Sequence, residues 1–109
     1  SMFNLIDTHT GDKVDFWILT DSPFDQSRFQ RRRPVSVFDM MVWVSSPEDI
    51  ILAKLRWADL SGGSEKQFLD ALRVFEVQRA DLDLHYCNAW VGELGVVALW
   101  EKLLAEAGQ

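Results

Sequence analysis

The first forty-five positions of the chain contain short runs in which apolar and polar residues alternate, as in β-strands. Segments 3–8 and 13–20 follow this pattern, and turn-forming residues at 8–12 join them, which predicts a hairpin. In the second of these strands the period of two places Asp15 on the same face as Trp17 and Leu19. Segment 35–44 is apolar and β-branched. It predicts either one bent strand or a tight pair of strands broken at Phe38-Asp39.

One helix is predicted within this region, and helices make up the rest of the chain. Ser22-Pro23 predicts the start of a short helix that reaches about Arg32, with Pro34 as its stop. Ser46-Pro47 repeats the start signal, and the following helix, ending near Ser61, carries an apolar stripe. The residues of that stripe are Ile51, Leu52, Leu55 and Ala58.

Three more helices are predicted after position 63. Ser64 and Gln67 form a capping box for a helix ending near Gln78; it is apolar on two sides, so we expect it to be the central helix of this half. A further helix is capped by Asp81 or Asp83 and ends near Glu93. The last helix has Val96, Trp100, Leu103 and Ala107 at helical spacing.

Strands come first and helices follow, which predicts an α+β fold rather than alternating βαβ units. The small antiparallel or mixed sheet would combine the amino-terminal hairpin with one or two further strands, and four helices would form the carboxy-terminal half. We expect one domain over 2–109, strand-rich over 3–45 and helical over 46–107. Ser1, before Met2, is interpreted as a tag residue.

The net charge of the chain limits the kinds of partner that it can be expected to bind. A net charge of -6 gives no general attraction to nucleic acid or to an anionic membrane, so nucleic acid is an unfavourable partner. A single cysteine and the lack of a membrane-spanning apolar run indicate a cytoplasmic protein. Five Trp and seven Phe are a heavy aromatic load, which indicates an aromatic core or a partner-binding surface.

Four arginines, Arg28, Arg31, Arg32 and Arg33, lie within six positions of this acidic chain. The planar guanidinium matches phosphate, so the cluster is a candidate phosphate-binding site. The alternative is that these cations complement the dipole at the end of a helix and stay solvated.

Three other charged residues occupy unusual positions. Asp15 lies in mid-strand beside large apolar residues, where it needs a metal ion, a cation or hydrogen-bond donors; a cross-strand lysine is the simpler alternative. Lys54 lies at the boundary of its helix's apolar stripe, from which it could also reach solvent. Asp70 lies beside an apolar row, with Lys66 and Arg73 within helical reach for a local ion pair.

Three segments carry a resemblance to a known family. They are KVDF at 13–16, VWVSSPEDIILAKL at 42–55 and SGGSEKQFLDAL at 61–72. Their order resembles the later part of the AbiEii-like nucleotidyltransferases, which have a minimal nucleotidyltransferase fold and include toxins of bacterial toxin–antitoxin and phage-defence systems. The resemblance extends over roughly 3–107.

The resemblance implies roles for the same three charged residues. Asp15 would help to bind the metal, Lys54 would contact phosphate or hold the carboxylates, and Asp70 would orient Lys54 or act as a base. The reaction implied is metal-dependent transfer of a nucleotide from a nucleoside triphosphate, with Mg²⁺ as the cofactor once further carboxylates are supplied.

Such enzymes begin with a Gly-Ser turn and a paired-acid motif, and nothing before Phe3 supplies either. We therefore expect a truncated nucleotidyltransferase-like protein that is inactive alone and binds nucleoside triphosphates weakly. The alternative is a non-catalytic interaction module, either a homodimer or a domain that docks on a partner chain through an exposed strand edge.

Overall fold

The computed structural model describes residues 4–10, 13–18 and 20–108, with side chains from Thr20 onward except that of Val37. The chain divides into two compact units, 1–46 and 47–109. This division falls next to the boundary that the sequence predicts between its strand-rich and helical parts. The predicted α+β class is confirmed.

The first unit contains a four-stranded mixed sheet and one helix in its described part. Its elements are β1 (Asn4–Thr10), β2 (Lys13–Ile18), α1 (Pro23–Gln30), β3 (Arg33–Val37) and β4 (Met40–Val44). The strand order is β2-β1-β4-β3. Strands β1 and β2 are antiparallel, as are β3 and β4, whereas β1 and β4 run parallel.

The amino-terminal hairpin is longer than its turn residues predict. Thr8 pairs with Asp15 and Thr10 with Lys13, so residues expected in the turn belong to β1. The register shifts between Ile6 and Thr8, where a bulge places an extra residue in the strand. The sequence prediction ends the strand too early because Thr8, His9 and Thr10 are assigned to the turn by residue type, whereas all three pair with β2.

Segment 35–44 forms the second of the two predicted arrangements, a tight pair of strands. Phe38 and Asp39 have φ values of 51° and 62°, the left-handed conformations of a two-residue hairpin turn. Helix α1 ends at Gln30, and Pro34, expected only to stop a helix, lies within β3. Proline is tolerated there because β3 is an edge strand of the described sheet.

The second unit is helical. It contains α2 (Pro47–Leu60), α3 (Glu65–Gln78), a short 3-10 helix (Arg79–Asp81), α4 (Leu84–Leu94) and α5 (Val97–Glu106). Helix α2 contacts α3, α4 and α5. Its apolar residues from Ile50 to Ala53 are all buried, as are Leu55 and Ala58. The predicted stripe of α2 is therefore confirmed.

The central helix of this unit is α2, and the expectation that α3 would be central is wrong. Helix α3 buries one stripe, formed by Phe68, Ala71 and Phe75, whereas Val77 is 78% exposed. Six successive buried residues near the start of α2, at 48–53, allow it to pack on several neighbours at once. The second apolar side of α3 is too short to pack against several helices at once.

Most of the predicted caps are present. The side chains of Ser22, Ser64 and Asp83 accept hydrogen bonds from first-turn amides of α1, α3 and α4. The capping box of α3 is only half made, because the backbone N–H of Ser64 donates to the carbonyl of Ala58 rather than to Gln67.

Helix α4 ends at Gly95, which has a φ of 72° and caps the helix in the left-handed conformation. We expect Gly95→Ala to lower the free energy of unfolding by about 1 kcal/mol, because a Cβ is disfavoured in this conformation. Chemical denaturation of the two proteins measures the difference.

Gly92 provides the matched control, since it lies inside the same helix and a Cβ there meets no atom within 4 Å. Gly92→Ala should be neutral or stabilise by up to about 1 kcal/mol, because alanine is the better helix former. Equal losses of stability in the two variants would contradict the assignment of Gly95 as the cap.

Candidate functional site

The packing of α2 on α3 brings together two of the three candidate residues. The Nζ atom of Lys54 lies 3.8 Å from Oδ2 of Asp70. The side chains are 12% and 28% exposed, so both charges are partly removed from water. The interpretation of Lys54 as a boundary residue is thus confirmed, and its charge faces the neighbouring helix.

Asp70 also takes part in the local ion pair that the sequence allowed. The Nζ atom of Lys66 donates a hydrogen bond of 3.2 Å to the same Oδ2 atom, one helical turn away. A direct Lys54–Asp70 hydrogen bond of 2.7–2.9 Å, the usual length for charged partners, is not formed. The carboxylate oxygen instead lies between two ammonium groups.

This arrangement places two cations around one anion, with Lys54 on the shielded side and Lys66, 78% exposed, on the solvent side. The local charge of the three groups is one positive unit. The carboxylate of Asp70 thus interacts with both ammonium groups.

Two buried acids at the start of α2 were not singled out by the sequence analysis. Oε2 of Glu48 accepts a 2.9 Å hydrogen bond from the backbone N–H of Asp83, and Oδ1 of Asp49 accepts one of 2.5 Å from the hydroxyl of Tyr86. Both carboxyl side chains are almost fully buried. They attach the first turn of α4 to the first turn of α2.

The sequence does contain a signal for this burial. Glu48 precedes Ile51, Leu52 and Leu55 by three, four and seven positions, which places it in line with the buried stripe of α2. The Ser-Pro-Glu-Asp run also predicts a helix start, and acids in a first turn are commonly explained by the helix dipole alone. That interpretation conceals the packing role of these acids.

Arg28 does not belong to a surface cluster. Its side chain is fully buried, donates a 3.0 Å hydrogen bond through Nη2 to Oγ of Ser45, and lies 3.7 Å from Oδ1 of Asp25 through Nη1. Asp25 in turn accepts 2.8 Å hydrogen bonds from the N–H and the hydroxyl of Thr20. Arg28 thus links α1 to the residue after β4. Because it is buried, it is neither a surface phosphate ligand nor a solvated cation.

The other three arginines have different surroundings. The guanidinium of Arg32 lies 3.9 Å from the ring centroid of Phe29 and 4.4 Å from that of Trp43, and its Nη1 donates to the carbonyl of Phe29. Arg31 is half-buried, and Arg33 is exposed in β3. The four arginines expected to bind phosphate together therefore do not form one patch.

Asp15 lies in β2, where its backbone is opposite Thr8. Its side chain is outside the described part of the structure, so its role as a metal-binding carboxylate stays a prediction. Among the residues that the structure describes, no three His, Cys, Asp or Glu side chains lie close enough together to hold a metal ion.

Comparisons of the chain with models of protein families, with curated proteins and with solved structures find no match. The described helices are also too short or too polar for any of them to cross a membrane.

The Lys54–Asp70 contact makes a testable contribution to stability. We expect Asp70→Asn to cost about 1 kcal/mol, because it leaves the largely buried ammonium of Lys54 without this carboxylate. Lys54→Met should cost less, since Lys66 still pairs with Asp70. Denaturation of the single and double variants gives the coupling, which should be about 0.5–1 kcal/mol.

Lys66→Met is the control, because its side chain is 78% exposed and such pairs contribute little to stability. Its loss should stay within about 0.5 kcal/mol. Additive losses for Lys54 and Asp70 would show that the two side chains do not interact.

Proposed function

We propose that this chain carries the helical part of a nucleotidyltransferase-type site, in which Lys54 contacts the phosphates of a nucleoside triphosphate and Asp70 orients Lys54. The observation that supports the proposal is the 3.8 Å contact between these two partly shielded charges on neighbouring helices. The resemblance of 42–55 and 61–72 to AbiEii-like nucleotidyltransferases assigns roles to the same two residues.

The chemistry expected of this pair is electrostatic. Nucleotidyl transfer depends mainly on positioning the phosphates and neutralising the charge that develops on them. Asp70 holds the Lys54 ammonium at the α2–α3 interface, and Lys66 adds a second cation on the solvent side. A triphosphate approaching from solvent would meet Lys66 first and Lys54 next.

Among the described residues, no group of His, Cys, Asp or Glu side chains is arranged to hold Mg²⁺. Asp15, whose side chain is outside the described part of the structure, stays in the proposal as a candidate metal-binding carboxylate. The chain alone is therefore proposed to bind nucleoside triphosphates weakly and to transfer nothing.

The biological setting is part of the proposal and is supported by the resemblance alone. It would be a cytoplasmic component of a bacterial toxin–antitoxin or phage-defence system. The alternative, a non-catalytic interaction module, is favoured by a different observation, the exposed apolar hairpin of the first unit.

Titration with Mg²⁺-ATP, followed by NMR shifts of the α2 and α3 amides, tests the site. We expect a dissociation constant in the millimolar range, raised about fivefold to tenfold in Lys54→Met, since one cation–phosphate contact is worth about 1 kcal/mol. Lys102→Met is the control, because Lys102 lies in α5 beside Glu106 and Phe68. It should bind as the wild-type chain does.

Equal binding by wild type and Lys54→Met would contradict the assignment of Lys54. A second assay follows transfer of radiolabel from α-labelled ATP by the chain alone, where we expect none. Transfer that disappears in Asp15→Asn would show that the 109 residues already contain a complete site.

A further inference from the structure

The β3–β4 hairpin exposes an unusual amount of apolar surface. Within nine consecutive positions, five large apolar side chains are exposed, and Met40 and Met41 are 65% and 68% exposed. These five residues are Val35, Phe38, Met40, Met41 and Trp43. Clustered exposure of Met and aromatic side chains is typical of surfaces that bind another protein.

The two faces of this hairpin have different neighbours. Cross-strand pairing places Val35 opposite Val42, and Pro34 opposite Trp43. On the face that carries Trp43, Arg32 stacks on the Trp43 ring, although Trp43 and Met41 stay 49% and 68% exposed. The opposite face carries Arg33, Val35, Met40 and the half-buried Val42, and we call it the outer face.

The free edge of β3 is poorly suited to add another strand. Because the turn has two residues, Val37 and Met40 form a hydrogen-bonded pair, and the backbone groups of Pro34 and Ser36 point away from β4. Pro34 has no N–H to donate. The edge-mediated association expected from the sequence is thus disfavoured at β3, and a partner would lie on the outer face.

The charges at the two ends of the hairpin are opposite. Arg33, exposed, lies at its base, and Asp39, exposed, lies at its tip. Strand β3, which leads from Arg33 to the turn, is about 13 Å long. If two copies pack outer face to outer face about a two-fold axis that lies in the interface perpendicular to the strands, the base of each hairpin lies over the tip of the other.

We propose that the β3–β4 hairpin is a self-association surface and that its partner is a second copy of this chain. The apolar centre is formed by Val35, Met40 and Val42, with an Arg33–Asp39 pair between the copies at each end. A single patch that carries both charges in this order is self-complementary, which is the condition for a two-fold interface. This proposal is independent of the proposed function.

The interface would be small, since one face of a two-stranded hairpin is well below the roughly 800 Å² per partner of a standard interface. We therefore expect a weak dimer that forms at tens to hundreds of micromolar. The dimer should weaken as salt is added, because dissolved ions screen the attraction between exposed charges. The screening length is about 10 Å at 0.1 M salt.

Sedimentation equilibrium over a range of concentrations up to about 500 μM tests the proposal. The wild-type chain should dimerise, and Met40→Glu should abolish dimerisation by placing a charge at the apolar centre. Arg33→Glu and Asp39→Lys should each weaken it about tenfold or more, because each creates two like-charged contacts. Arg73→Glu, an equal charge change at an exposed position of α3, should have no effect.

Mixing two charge variants provides the sharpest measurement. An equimolar mixture of Arg33→Glu and Asp39→Lys should form heterodimers, since both end contacts then pair opposite charges. Residue 39 has a φ of 62°, so Asp39→Asn, which tolerates this conformation, is a second variant that removes the charge with little strain. It should weaken dimerisation, and circular dichroism should show that all the variants are folded.

A wild-type chain that stays monomeric up to about 500 μM would overturn the proposal. So would a dimer that Met40→Glu and Arg33→Glu leave intact. Failure of the folded charge variants to associate on mixing would overturn the assignment of the Arg33–Asp39 pair.

Discussion

The burial of α2 is the constraint on which the helical unit depends. Three helices pack against it, and its first two turns are buried on apolar and acidic positions alike. An acid can occupy such a place only with hydrogen-bond donors, and Asp83 and Tyr86 supply them from the start of α4. The attachment of α4 to α2 therefore follows from the need to satisfy Glu48 and Asp49. The position of Lys54 follows from the same helix, because it lies where the buried stripe meets the surface.

In the first unit too, a buried charged side chain is paired with a neighbouring segment. Arg28 is fully buried on α1, and its charge is met by Asp25 and by the hydroxyl of Ser45 after β4. Removing one partner of such a buried pair costs far more than the pair contributes, because the remaining charge is uncompensated. In both units, then, a buried charge fixes the place of a neighbouring segment.

The sequence predicts the local features well because each has a short-range cause. Ser22, Ser64 and Asp83 cap helices for reasons contained in a single turn, and Ile51, Leu55 and Ala58 reveal their burial through spacing alone. The approach of Lys54 to Asp70 agrees with what the family resemblance implies, whereas spacing alone predicts only that each residue lies beside an apolar row. What the sequence missed depends on partners distant along the chain: Arg28 meets Ser45, and Glu48 meets Asp83. The spacing of Glu48 indicates that it is buried, but no local pattern identifies the partner of either residue, and none reveals the register shift in β1.

The central claim is that α2 organises the helical unit and that its first turn holds α4. Native-state hydrogen exchange measured residue by residue tests it most directly. The amides of α2 from Ile51 to Ala58 should be the slowest to exchange, and those of α4 should open at lower free energy but become markedly less protected in Tyr86→Phe, which removes the donor to Asp49. Greater protection in α3 or α5 than in α2, or unchanged protection of α4 in Tyr86→Phe, would contradict the account.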